Sequence, residues 1–236
     1  MAGHSHSKNV RRVKEAGDKQ RALIFAKIGK NISLLAKQGG GDVESNPALR
    51  TMIEKARELN VPKDNIEKAI KRGTGEFGKS GGLENFIFEA YGPGGIAIIA
   101  EGITDNKNRS IAEFKKTISN LGGKVAEPGS VRWLFKLTGS ILIDCSDCDE
   151  MELIAIETGA QETEITEDGL EIIVDPEKMT NMRAELEKKG AKLEASLIWL
   201  PLNPIKLKDE DEEKAQEIFD ALNSNEDIQE IFSNKI

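Results

Sequence analysis

The chain has 236 residues, which suits one large domain or two to three small ones, each able to bury a core. No apolar run reaches membrane-spanning length, and the first twenty residues lack the apolar stretch of a secretory signal, so a soluble protein with no membrane partner is expected. Two cysteines give little sign of a disulfide framework, and a net charge of -8 hides an uneven distribution.

The chain opens on a cationic arm, Ser7-Lys8-Asn9-Val10-Arg11-Arg12-Val13-Lys14. Lys8, Arg11, Arg12 and Lys14 can reach several phosphates, an interaction that is salt-sensitive and carries little sequence information by itself. Residues 1–79 hold 17 Lys+Arg against 9 Asp+Glu, whereas the remainder holds 16 against 32. Such asymmetry points to a polyanionic partner, usually nucleic acid; a solvated helical surface is the alternative reading. The arm is basic enough to suggest a mitochondrial presequence, but Glu15 and Asp18 fit that poorly, and a reducing, cytoplasmic location is the expectation. His4 and His6 are the only histidines, so neither a zinc-protease helix nor a Ser-His-Asp set can be built. Ala2-Gly3-His4 would offer a planar nitrogen set to Cu(II) or Ni(II) if Met1 were removed. A tail whose imidazoles sit near phosphates is the plainer reading, and no metal or cofactor is expected.

Residues 19–37 predict an amphipathic helix, with Ala22, Phe25, Ile28, Ile32 and Leu35 at three- and four-residue steps. Lys19, Lys27, Lys30 and Lys37 fall outside that stripe, and with Arg21 they extend the cationic set. GGGD at 39–42 ends the helix. Asn46-Pro47 supplies an N-cap followed by proline at the first helical position, opening a helix that buries Leu49, Met52, Ile53 and Ala56. A third helix starts near Pro62, turns Ile66, Ala69 and Ile70 inward, and is expected to end at Gly73.

GTGEFGKS at 73–80 fits G-x-x-x-x-G-K-[ST], but phosphate cradling needs a strand before the loop and a helix after it. Here a helix precedes and a strand follows. The stretch reads as a hinge rather than a nucleotide site.

From residue 84 the period changes to strand alternation in FIFEAY and GIAIIAEG, joined through Gly92-Pro93-Gly94-Gly95. NRSIAEFKKTISNLGG predicts a helix with a glycine stop, and 131–137 a strand. A β-α-β-β-α-β series then runs from ILID to KLEASLIWL, the order of a ferredoxin-like unit. Beyond the linker LPLNP, helices are expected near 210–223 and 226–232, with Ile218, Phe219, Leu222, Ile228 and Ile231 covering the earlier sheet. The fold class is α+β with three domains: a basic three-helix bundle at 1–79 and two α/β sandwiches. One sandwich is discontinuous, at 80–136 and 203–236, and the ferredoxin-like one is inserted at 137–202.

Cys145-Ser-Asp-Cys148 has redox spacing, but Asp144, Asp147, Asp149 and Glu150 disfavour a thiolate, and two incidental thiols are expected. No carboxylates form a recognisable catalytic pair, so neither catalysis nor a small-molecule substrate is expected. Thr104-Asp105-Asn106-Lys107-Asn108-Arg109-Ser110 sits where a strand enters a helix. Asp105 or Asn106 suits capping, while Asn106, Lys107, Asn108 and Arg109 offer amide and cationic donors to a partner.

MAGHS, GGGD, VPKDNIEKAIKRGTGE, YGPGG, TDNKNRS and GSV at 129–131 together resemble the YebC family over nearly the whole chain. Its members are described as probable transcriptional regulators, and a mitochondrial relative is a translational activator of cytochrome c oxidase subunit one. The resemblance implies a three-domain fold, a cytoplasmic location and nucleic-acid binding without known catalysis. It carries over the basic arm, the surface of the third helix (Lys63, Lys68, Lys71, Arg72) and the TDNKNRS loop. The family's Lys-Trp after AGHS is replaced here by His6-Ser7, so the arm has lost an aromatic for base stacking.

Two functions follow as expectations. The first is a transcriptional regulator whose basic N-terminal domain binds DNA, although no helix combines the Arg, Asn and Gln set that reads major-groove edges. The second is a ribosome-associated translation factor that binds ribosomal RNA and assists synthesis of difficult peptide sequences. Recognition of RNA by shape needs no base-edge code. An NTP-hydrolysing enzyme is disfavoured by the strand–helix order around GTGEFGKS.

Overall fold

In the computed structural model, which describes residues 17–76, 82–145 and 147–236, the three N-terminal helices form around the sequence signals that predict them. Helix α1 spans Asp18–Gly39, α2 Pro47–Glu58 and α3 Lys63–Thr74. Asn46 caps α2 through an acceptor bond from Leu49 N at 3.1 Å, with Pro47 in the first turn. Its amide group also donates to the carbonyls of Leu35 and Gly40, at 3.1 and 2.9 Å, so one buried side chain closes α1 and starts α2. Ile28, Ile32, Ala36, Leu49, Ile53, Ala56, Ile66 and Ala69 make the shared core.

The cap of α3 is Gly75, in the left-handed region at φ 82°. Gly73, expected as that cap, lies inside the helix for a different reason. A Cβ there would meet Ser33 O at 2.2 Å, so the missing side chain lets α1 and α3 cross closely. Ser33 Oγ donates to Ala69 O at 2.7 Å in the same crossing.

Strands β1 (Glu84–Tyr91) and β2 (Ala97–Thr104) form a hairpin, followed by α4 (Lys107–Asn120) and the short β3 (Lys124–Val125). Phe86, Ala90, Ile98 and Ala100 alternate onto one face, where α4 places Phe114 and Ile118. Phe88 stacks on Phe86 with centroids 4.3 Å apart and meets Phe114 at 4.8 Å.

The inserted series consists of β4 (Phe135–Ile143), α5 (Asp149–Glu157), β5 (Ala160–Thr166), β6 (Gly169–Val174), α6 (Pro176–Lys188) and β7 (Leu193–Pro201). Its antiparallel sheet has the order β5-β6-β4-β7, the ferredoxin-like arrangement. Ile141, Ile143, Leu170, Ile172 and Val174 pack beneath Met182 and Leu186 of α6. Two expectations change here. The strand foreseen at 131–137 is a 3₁₀ turn at Arg132–Leu134 running into one continuous β4. Cys145 and Cys148 are joined by a disulfide rather than standing as separate thiols, because the corner from β4 into α5 brings their Cα atoms to 5.5 Å.

Helix α7 (Asp209–Asn223) returns Ile218 and Leu222 to the first sheet, completing the cover that α4 begins. The segment foreseen as a helix at 226–232 is instead strand β8, Ile228–Ser233, which extends the sheet to β3-β1-β2-β8. Ile228 and Ile231 are three apart, a helix-like interval. In β8 they share a face because the register shifts between Glu101 and Gly102, leaving Gln229 as the extra residue of a bulge. A Cβ on Gly102 would meet Asp227 O at 2.1 Å.

Two compact units result. One runs to Arg132 and resumes at Pro204, containing the helical bundle and the β3-β1-β2-β8 sheet; the other is Trp133–Asn203. No helix among the described residues is long and apolar enough to cross a membrane.

Candidate nucleic-acid interface

Helix α3 carries Lys68, Lys71 and Arg72 at three- and four-residue steps, on one exposed face. Arg72 donates to Asp105 at 3.3 Å, and Arg109 grips the other oxygen of Asp105 at 2.8 Å. That carboxylate therefore ties the basic end of α3 to the loop that starts α4. Asn106 caps α4 through Arg109 N at 3.1 Å, while Thr104 Oγ1 accepts from Asn106 N at 3.0 Å. Lys107, Asn108 and Arg109 are thereby held exposed in the first turn of α4. This turn contains no acidic residue and two cations, the sign the helix dipole disfavours. Among the described residues, Lys68, Lys71 and Lys107 have no ion-pair partner. Lys63 pairs with Glu67 at 3.6 Å. Arg109 turns inward as well as outward, and the charge of Asp105 raises its pKa further, with a smaller contribution from Asp227.

The cations of α1 are divided. Lys19 and Arg21 are exposed, Arg21 beside Asp18 at 3.0 Å. Lys30 is buried, with its ammonium committed to Asp227 and, at 3.0 Å, to Glu226, so it is withdrawn from any phosphate. Lys27 lies half-buried in a cleft of about 520 Å³ that α1 and α2 leave against β1, β2 and β8. Burial pushes its amine down to about 8; Glu230 opposes this and Lys30 adds to it. Lys8, Arg11, Arg12 and Lys14 lie outside the described residues, as do Phe77–Ser80 of the glycine-rich stretch. The described part, Gly73–Glu76, ends a helix, and the next element is β1.

Two buried carboxylates that the sequence did not single out organise this unit. Asp227 accepts from Lys30, from Ser110 Oγ at 2.6 Å, from Thr104 Oγ1 at 3.3 Å and from Arg109 at 3.4 Å. Burial alone would raise its pKa, but the bonds from Lys30 and Ser110 and the Lys30 charge hold it below the usual carboxylate range. Ser110, Thr104 and Arg109 all belong to TDNKNRS, so the motif is fastened by a residue far along the chain. Glu89 does the same for GSV. Its oxygens accept from Gly129 N at 2.7 Å, Val131 N at 2.7 Å, Arg132 N at 3.0 Å and Arg132 Nε at 2.7 Å. Burial pushes its pKa upward, and those donors outweigh it and lower it. Only the short polar motifs themselves hinted at these clamps. Among the described residues no group of three or more His, Cys, Asp or Glu could hold a metal ion.

Comparison with known proteins gives matches along the chain. Residues 5–76 match the profile described as TACO1/YebC protein N-terminal domain, and residues 83–235 match TACO1/YebC second and third domain. A "Probable transcriptional regulatory protein" of Caldanaerobacter subterraneus subsp. tengcongensis is 43% identical, over 99% of this chain and 98% of its own length. One of the same description from Thermotoga petrophila is 41% identical over 99% and 93%. The crystal structure of a conserved hypothetical protein from Aquifex aeolicus superposes with a TM-score of 0.83 at 33% identity, covering 93% of this chain and 91% of that one.

Proposed function

Because this chain belongs to the TACO1/YebC family, whose curated relatives carry the name "Probable transcriptional regulatory protein", we propose that it is a nucleic-acid-binding regulator of gene expression. It acts in the cytoplasm by binding DNA through its basic N-terminal domain, and not by catalysis. One observation carries the reading: Asp105 joins the exposed cations of α3 to those at the start of α4, giving one edge with Lys68, Lys71, Arg72, Lys107 and Arg109. Two cations in the first turn of α4 work against the helix dipole. A phosphate chain laid along this edge turns that cost into binding energy, with the 7–14 arm adding further cations.

A second reading is a ribosome-associated translation factor. It is favoured by the makeup of the edge, a helix end joined to an irregular loop, with Glu67 and Asp64 among the α3 cations. Such a set grips a folded RNA backbone by shape better than it reads a major groove. Crosslinking the protein in cells and sequencing the recovered nucleic acid separates the two. Discrete promoter fragments support the DNA reading; ribosomal RNA as the main product replaces it with the second; recovery of neither defeats both.

A further inference from the structure

The cleft beside Lys27 plays no part in the phosphate edge above. Ile24 and Met52 line it from the helices and Ile87 and Ile103 from the sheet, an aliphatic part of a wall that also holds Lys27, Lys55, Glu101 and Glu230. Five carboxamides also line it: Gln20, Asn31, Asn85, Asn223 and Gln229. A carboxamide presents a donor and an acceptor side by side, which is what the edge of an unpaired base requires. The volume, about 520 Å³, is that of a pocket for one small organic group.

Two of the carboxamides are tied to each other. Asn31 Nδ2 donates to Gln229 Oε1 at 2.8 Å, fixing both amides across the helix–sheet junction. Among the described residues Gln229 Nε2 is a buried donor without an acceptor, a cost that folded proteins rarely leave uncompensated. Lys19 and Arg21, next to Gln20 on α1, are exposed, Arg21 beside Asp18 at 3.0 Å.

We propose that this cleft takes one unpaired nucleobase of a single-stranded nucleic acid, which rests on the nucleic-acid reading above. The base exchanges water for aliphatic walls, and its edge exchanges water for carboxamides. A base already paired in a duplex has that edge occupied and does not enter without being extruded.

The test uses the full chain with a single-stranded 2-aminopurine oligonucleotide and its blunt duplex, each made as DNA and as RNA. Emission of 2-aminopurine reports unstacking, and polarisation of a terminal dye reports affinity. The variants are Ile87→Glu, which puts a carboxylate on the cleft wall at a side chain 38% exposed, and Asn85→Leu, which removes one exposed amide. The expected result is tighter single-strand binding with a several-fold rise in emission. Both variants should abolish the rise and lower single-strand affinity about tenfold, leaving duplex affinity unchanged. Single-strand binding without an emission change, or variants that match the parent, overturns the cleft alone. Failure to bind any of these oligonucleotides overturns the nucleic-acid reading together with it.

Discussion

Lys30 and Asp227 form a buried ion pair across 197 positions of sequence, joining the first helix of the bundle to the turn before the last strand. Their side chains are 9% and 3% exposed, so neither charge has water as an alternative partner. The pair also receives Ser110 and Arg109, which means that the loop at 104–110 and the bundle are held by one carboxylate.

Replacing Asp227 with Ala should therefore do more than break one ion pair. It leaves the buried Lys30 ammonium with only the half-exposed Glu226 and removes one acceptor of Ser110, and the expected loss of stability is about 3–5 kcal/mol in urea unfolding. Asp227→Asn keeps an acceptor for Ser110 and should lose less. Equal losses in the two variants would show that the lost charge accounts for the whole effect and that the Ser110 bond adds nothing.

Acid should unfold the protein through the same groups. Asp227 and Glu89 both titrate below their usual range in the folded state. Their contribution is complete above the unfolded values, about 3.9 for Asp and 4.3 for Glu, and is lost as pH falls through the lower folded values. The urea midpoint should fall steeply below about pH 4, and more gently in Asp227→Asn. Parallel curves for the two proteins would contradict this.

Lys27 has the opposite sign. Its folded pKa of about 8 lies below the unfolded value of about 10.4, so folding disfavours the charged amine. That cost is full below pH 8 and fades as pH rises towards the unfolded value. Lys27→Met should raise the urea midpoint at pH 7, and the gain should shrink by about pH 10. A gain independent of pH would show that packing, not charge, is responsible.

On the exposed edge, Lys68→Ala with Lys71→Ala should weaken nucleic-acid binding across sequences and leave folding intact. The slope of log affinity against log salt should flatten by about 0.9 for each duplex phosphate that the variant no longer neutralises. An unchanged slope would move the interface elsewhere.

The α1 stripe of Phe25, Ile28, Ile32 and Leu35 is legible in the sequence because a bundle core imposes a 3.6-residue period. Lys30 and Leu34 lie off that stripe, yet both are buried. Leu34 packs on Leu83 and Ile103, and Lys30 reaches Asp227. A helix enclosed on two sides does not announce its second face, because that face needs a partner remote in sequence. The bulge at Gln229 hides β8 in the same way, giving Ile228 and Ile231 a helical interval. Gly73 stands out in the sequence as well, but only the Ser33 carbonyl beside it shows why a side chain is excluded there.

The strands that begin and end the Trp133–Asn203 unit lie side by side, paired from Phe135 with Pro201 to Ile143 with Leu193. Leu202 N also donates to Leu134 O at 2.9 Å, so the chain enters and leaves through one doorway. A module with such neighbouring ends can be excised or exchanged by splicing Arg132 to Pro204 through a few glycines. Evolution can thus exchange the whole module at a single junction.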